Sequence, residues 1–124
     1  MDEPQKDFEG HTIITAKVGL HLGFIATNSA VFCRACHKYS HINPNEKRKV
    51  NVRNLSNPNK EKKSAMSIMA LLTLEIGKGD SLEVEIEGTD SIARDFAGKV
   101  INYLSGYSRQ NEYFYSSGNL NPER

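Results

Sequence analysis

The sequence predicts an α+β fold, a small open sheet with helices packed on one face, and three observations carry that prediction. Strand-like and helix-like hydrophobic spacings alternate along the chain as strand, helix, strand, short helix, strand, helix. The chain's 124 residues are one domain's worth. The clearest strand, Leu82 to Glu87, alternates apolar with acidic side chains, so one sheet face must stay wet.

Residues 1–10 read as a polar lead-in. Thr12 to Ala16 is β-branched and forms a first strand, ended by Gly19. Ser29 to Tyr39 has helical spacing: Phe32, Cys36 and Tyr39 fall at i, i+4 and i+7, and Thr27, Asn28 and Ser29 supply capping residues. Val50 and Val52 alternate with polar neighbours as a short second strand, flanked by enlarged loops at 40–49 and 56–64 that each carry Asn-Pro. A further strand is expected between Gly23 and Thr27 or within His41 to Lys49. Ser67 caps a short apolar helix, Ile68 to Leu74, and Gly77 to Asp80 is a turn. Beyond strand 82–87, Thr89 or Asp90 caps a second long helix with the apolar face Ile92, Phe96, Val100 or Ile101, and Leu104; Gly106 stops it. The domain proper is thus 11–106, and 107–124, rich in Tyr, Ser and Asn without a period, reads as a loose tail.

Sixteen Lys and Arg against 15 Asp and Glu leave a net charge of +1, without the basic excess of a nucleic-acid binder. Tyr103, Tyr107, Tyr113 and Tyr115 have no basic stripe beside them to make a base-stacking surface. No apolar run approaches the roughly 18 residues of a membrane span. The N-terminus is acidic where a secretory signal is basic. Two cysteines build no disulfide framework. These features predict a cytoplasmic monomer that binds no nucleic acid, does not insert into membranes and needs no cofactor. Charge is uneven: residues 46–63 hold seven basic and two acidic groups, residues 75–95 two basic and seven acidic. Solvated loops and strand faces account for this, with a face that docks protein partners as the alternative.

Ile14-Thr15-Ala16-Lys17-Val18-Gly19-Leu20-His21 resembles the first strand and active-site loop of HPr, the histidine phosphocarrier of the bacterial phosphoenolpyruvate:sugar phosphotransferase system, which reads Ile-Thr-Ala-x-x-Gly-Leu-His-x-Arg-Pro-Ala-Ala. Met66-Ser67-Ile68-Met69-Ala70-Leu71-Leu72-Thr73-Leu74 is similar to that family's Lys-Ser-Ile-Met-Gly-Leu-Met-Ser-Leu, and Gly79-Asp80, the alternating strand and the closing helix follow in order. The resemblance spans 11–104. It implies an open-faced sandwich: a four-stranded antiparallel sheet with two long helices and one short helix on one face. It also implies a phosphocarrier at His21, with an enzyme I type kinase, sugar-transport or regulatory A domains, and a serine kinase as partners.

The departures bear on the site. After His21 stand Leu22, Gly23 and Phe24 instead of x-Arg-Pro, and counting back from the helix puts Ile25 in the reactive histidine's place and Thr27-Asn28 in place of Arg-Pro. A phosphorylated histidine needs charge-assisted partners for the dianion, and the missing arginine is expected to slow the relay. A non-phosphorylatable adaptor acting by protein binding is therefore the alternative. Ser67 resembles the serine that a kinase phosphorylates in HPr of many Gram-positive bacteria, and is physically an N-cap. Cys33-Arg34-Ala35-Cys36-His37, with His41, spells a haem- or zinc-type ligand set and so a metal or haem carrier as a second alternative. One amphipathic helix explains the same cysteines as core residues, and no metal site is expected.

Overall fold

Ser81–Glu87, the strand with the strictest alternation, lies at the centre of the sheet in the computed structural model, which describes residues 5–106. In chain order the elements are β1 (Gln5–Phe8), β2 (His11–Lys17), α1 (Ala26–Ser40), β3 (Val50–Asn54), β4 (Lys63–Ser64), α2 (Ile68–Thr73), β5 (Ser81–Glu87) and α3 (Ser91–Ser105). The sheet order is β1-β2-β5-β3-β4, and every neighbouring pair is antiparallel. Register explains the layering. Ile14, Val84 and Val52 face one another across β2, β5 and β3, as do Thr12, Ile86 and Val50, and all six are fully buried. Shifted by one residue, Thr15, Glu83 and Arg53 line the opposite, solvated face.

The helices cover the buried face. α1 contributes Phe32, Cys33, Ala35, Cys36 and Tyr39, and α3 contributes Ala93, Phe96, Ala97, Val100, Tyr103 and Leu104. Aromatic rings join the layers: Phe32 lies 5.4 Å from Phe24 and 6.4 Å from Tyr103, and Tyr39 stacks on Phe96 at 4.6 Å. The α3 face is rotated from the expected one, for Ile92 is 40% exposed and Ala93, Ala97 and Tyr103 are buried instead. Tyr103 is thus a core residue whose hydroxyl donates to the Asn28 carbonyl at 3.1 Å. The tail expected over 107–124 lies outside the described residues.

Five strands form where four were expected. β1 comes from the polar lead-in, because Glu9 and Gly10, with φ of 50° and 83°, make a two-residue turn whose twist suits a hairpin. β4 is two residues at the end of the loop expected over 56–64. Neither region proposed for a further strand supplies one: residues 23–27 lead into α1, and 41–49 holds only an isolated bridge between Asn43 and Glu46. That second loop is latched instead. Arg48 is buried, gives two hydrogen bonds to the Asp90 carboxylate at 2.9 and 2.7 Å, and donates to the Tyr39 hydroxyl at 3.0 Å. The two charge-biased segments also answer each other: Arg53 pairs with Glu83, Lys62 with Glu85 and Lys60 with Glu75, at 3.5, 2.9 and 3.6 Å.

Candidate functional site

The segment between β2 and α1 is held by its backbone. Val18 N–H donates to Asp80, Gly19 N–H to Leu104, Gly23 N–H to Leu20 and Phe24 N–H to Ile76, at 2.7 to 2.9 Å. Leu20 and Phe24 are buried to either side, which turns His21 and Leu22 out to solvent. Gly23 closes the turn at φ +64°, and a Cβ there would strike the backbone of Ile76 and Gly77. The position that the family's arginine would take after His21 therefore has no room for a side chain, so an arginine cannot be restored at Gly23.

α1 begins one turn earlier than its capping residues suggested. Its N-cap is Ile25, extended at φ −73° and ψ 176°, with no side chain capping the end. The turn fixes where the helix can start, and Thr27 and Asn28 fall inside its first turn. Asn28 bonds backwards, its amide donating to the Gly23 carbonyl at 2.6 Å and to the His21 carbonyl at 3.3 Å. Ser29 likewise donates to the Phe24 carbonyl at 3.2 Å. So the His21 turn is tied to the first turn of α1, while the residue at the helix start is Ile25, 42% exposed. The His21 ring makes no hydrogen bond among the described residues.

A helix start of this kind favours an anion through its unpaired N–H groups and its dipole. No charged side chain stands in the first turn, Ala26 to Asn28. Arg34 lies eight residues on from Ala26, about 12 Å along the axis at 1.5 Å per residue, and lines a groove with His37 and His41. Lys17 ends β2 opposite Ser81. Neither residue belongs to the first turn of α1.

Ser67 is the N-cap of α2, as its sequence predicted: its hydroxyl accepts from the Ala70 N–H at 3.1 Å, and it is exposed. Beside it Ile68 and Met69 are 38% and 71% exposed. The Cys-x-x-Cys-His pattern is split by the helix. Cys33 and Cys36 are buried with free thiols, and burial pushes both up from the ordinary thiol range. His37, one turn on from Cys33, and His41, the C-cap of α1, are exposed instead. No group of three or more His, Cys, Asp or Glu side chains suited to one metal occurs among the described residues. Sequence reasoning missed Asn28's backward bonds and the Arg48 latch. Asparagine at a helix start reads as a cap, and one arginine among lysines reads as a solvated charge.

Taken together, an antiparallel open-faced sandwich, a strand-to-helix turn at an uncapped helix start, and a serine-capped short helix define a small phosphocarrier-type domain. A family model described as "PTS HPr component phosphorylation site" matches residues 9–94, and the chain belongs to the HPr phosphocarrier family of the phosphotransferase system. Membership implies interaction with enzymes of that system. Two solved structures share the fold. One is phosphocarrier protein HPr from Bacillus anthracis strain Ames, at 20% identity and a TM-score of 0.59, over 77% of this chain and 99% of that one. The other is HPr-C-His from Thermoanaerobacter tengcongensis, at 21% identity and a TM-score of 0.52, over 70% and 91% of the two chains. No curated protein matches the sequence. Among the described residues no helix is long and apolar enough to cross a membrane.

Proposed function

We propose that this HPr-family chain serves the phosphotransferase system as a regulatory adaptor: it binds the system's enzymes in the cytoplasm, with Ser67 as its point of control. The reading rests on Ile25 as the N-cap of α1. A phosphoryl group held there would gain from the helix N-terminus, but isoleucine has no nucleophile to carry it. No guanidinium in the first turn replaces the lost charge-assisted bonds, each worth roughly 1.5–3 kcal/mol or about 10- to 150-fold. Ser67 supports control because a phosphate at a helix N-cap is favoured by the dipole while it repels an acidic partner surface. The exposed Ile68 and Met69 beside it supply apolar contact area.

A specific observation favours a second reading, the relay through His21. The bond from the Asn28 amide to the His21 carbonyl, 3.3 Å, keeps this histidine's backbone against the first turn of α1. In that reading His21 accepts phosphate from an enzyme I type kinase and hands it to a sugar-transport or regulatory A domain.

One experiment separates the two. The untagged chain is incubated with a cognate enzyme I and phosphoenolpyruvate, and acid-labile phosphate is measured. The adaptor reading expects no more label in the native chain than in His21→Ala. Ile25→His should gain label, and Ile25→His with Thr27→Arg should gain about tenfold or more over it. Label in the native chain that His21→Ala removes would overturn the adaptor reading and establish the relay.

A further inference from the structure

The proposed function leaves one open groove unused. It runs along the later turns of α1, has a volume of about 450 Å³ and is lined by Arg34, His37, Lys38, His41 and Ile42. Pockets that hold ligands span roughly 300–1,000 Å³. The walls combine positive charge, flat rings and one apolar side chain. The His37 and His41 rings are stacked, 10° apart in plane. Each is pinned by a backbone carbonyl: His37 Nε2 lies 2.9 Å from the Met66 carbonyl, and His41 Nδ1 lies 2.9 Å from the His37 carbonyl. Ile42 is 47% exposed. Arg34 and Lys38 are already engaged in interactions, so their charge, rather than a spare donor, selects an occupant. A groove of this kind suits aromatic side chains, whose faces attract cations through the ring quadrupole, with a carboxylate beside them.

The chain carries such a segment, and α3 releases it nearby. Beyond the described residues, the sequence continues to Glu112-Tyr113-Phe114-Tyr115. Gly106 ends α3 at φ +89°, so close to the β2–α1 turn that a Cβ would strike the Gly19 carbonyl. Three residues earlier the Tyr103 hydroxyl bonds the Asn28 carbonyl in the first turn of α1. The exit from α3 therefore stands at the start of α1. From Ala26 to Lys38 is about 18 Å along the helix at 1.5 Å per residue. Seven extended residues, 107–113, reach up to about 23–25 Å. We propose that residues 112–115 fold back in cis along α1 and seat in this groove, with Tyr113, Phe114 and Tyr115 on its ring and apolar walls and Glu112 against Arg34 and Lys38. So short a tether gives an effective concentration of about the millimolar range, so individually weak contacts suffice. The tyrosines, which have no basic stripe in the sequence, gain one from the fold. Neither reading of His21 bears on this strap, which seats on the later turns of α1.

The test is NMR on the untagged, isotopically labelled full chain. The native chain should show Overhauser contacts from the rings of Tyr113, Phe114 and Tyr115 to the Ile42 methyl groups and the His37 and His41 rings, a readout that needs no variant to fold. A chain carrying Tyr113→Ser, Phe114→Ser and Tyr115→Ser together should lose these contacts. Its amide shift changes should be largest at residues 34–42 and negligible at Arg53 and Glu83 on the open face of the sheet. In a mixture of labelled and unlabelled native chains, contacts filtered for pairs between two chains should be absent. Their presence would seat the segment on a second copy and overturn the cis strap. No ring contact to the groove, or shift changes spread evenly or centred on Leu22 and Ile25, would overturn it as well.

Discussion

Leu22 holds a backbone conformation that leucine avoids: its φ is +66°, and 61% of its surface is exposed. A non-glycine residue in the left-handed region costs about 1–2 kcal/mol, and no core contact offsets so exposed a side chain. Leu22→Gly is expected to stabilise the fold by about 0.5–1 kcal/mol, less than the full strain because glycine also frees the unfolded chain. A rise in the urea midpoint would record it, and a fall would show that the leucine packs where it is needed. The neighbouring position is its opposite. Gly23→Arg places a side chain against the Ile76 and Gly77 backbone at φ +64°, and should cost at least about 2 kcal/mol by thermal or urea melting. A stable Gly23→Arg variant would mean that the turn can re-form elsewhere.

Caps decide the helices. Ser67 closes the six-residue α2 with one hydroxyl bond, so Ser67→Ala should lose about 1 kcal/mol of stability. Ser67→Asp should lose little, because a carboxylate keeps the cap and suits the helix dipole, while partner affinity changes more than stability. A large drop in melting temperature for Ser67→Asp would give the hydroxyl a packing role instead. Asp90 does two jobs at the start of α3, accepting from the Ala93 N–H at 3.1 Å and binding the Arg48 guanidinium. Arg48 and the Ala93 amide hold its carboxyl well below the usual carboxylate range. A carboxyl depressed in the folded state adds stability that is fully present above its unfolded value, near 3.9, and is lost as pH falls below it. The native protein should therefore weaken steadily from about pH 5 downward, and Asp90→Asn should flatten that acid limb; equal acid slopes in denaturation would remove Asp90 from the account.

For the molecule as a whole, legibility in the sequence followed local determination. The 82–87 alternation, the Ser67 cap and the Gly106 stop each rest on a few neighbouring residues and each stands where it was read, and of Thr89 and Asp90 it is Asp90 that caps α3. β1 escaped because its residues are polar and only its partner strand makes it a strand, although Glu9-Gly10 was a usable hairpin signal. The start of α1 escaped because tertiary anchoring of Leu20 and Phe24, not capping chemistry, sets it. Around the candidate site, the capping role of Ser67 was readable, whereas which residue stands at the start of α1 turned on how residues 20–24 fold back. The pairing of basic and acidic segments across the sheet likewise required the strand order. These pairs are at most partly buried and thus weak and screened by salt. Raising sodium chloride to about 0.5 M should then shift stability by less than about 1 kcal/mol; a larger loss would mean that the charges act as a network.

The buried thiols give the fold a clock. Cys36 is wholly inaccessible in the middle of α1, and Cys33 is 7% exposed one turn earlier. A thiol-specific reagent can reach Cys36 only when the helix lifts from the sheet, so its rate of modification in the native state counts those openings. Slow labelling that tracks global stability through a mutant series would mean that α1 leaves only when everything unfolds. Faster labelling, insensitive to substitutions in β5 and α3, would mean that α1 detaches on its own, and with it the helix start that carries Ile25.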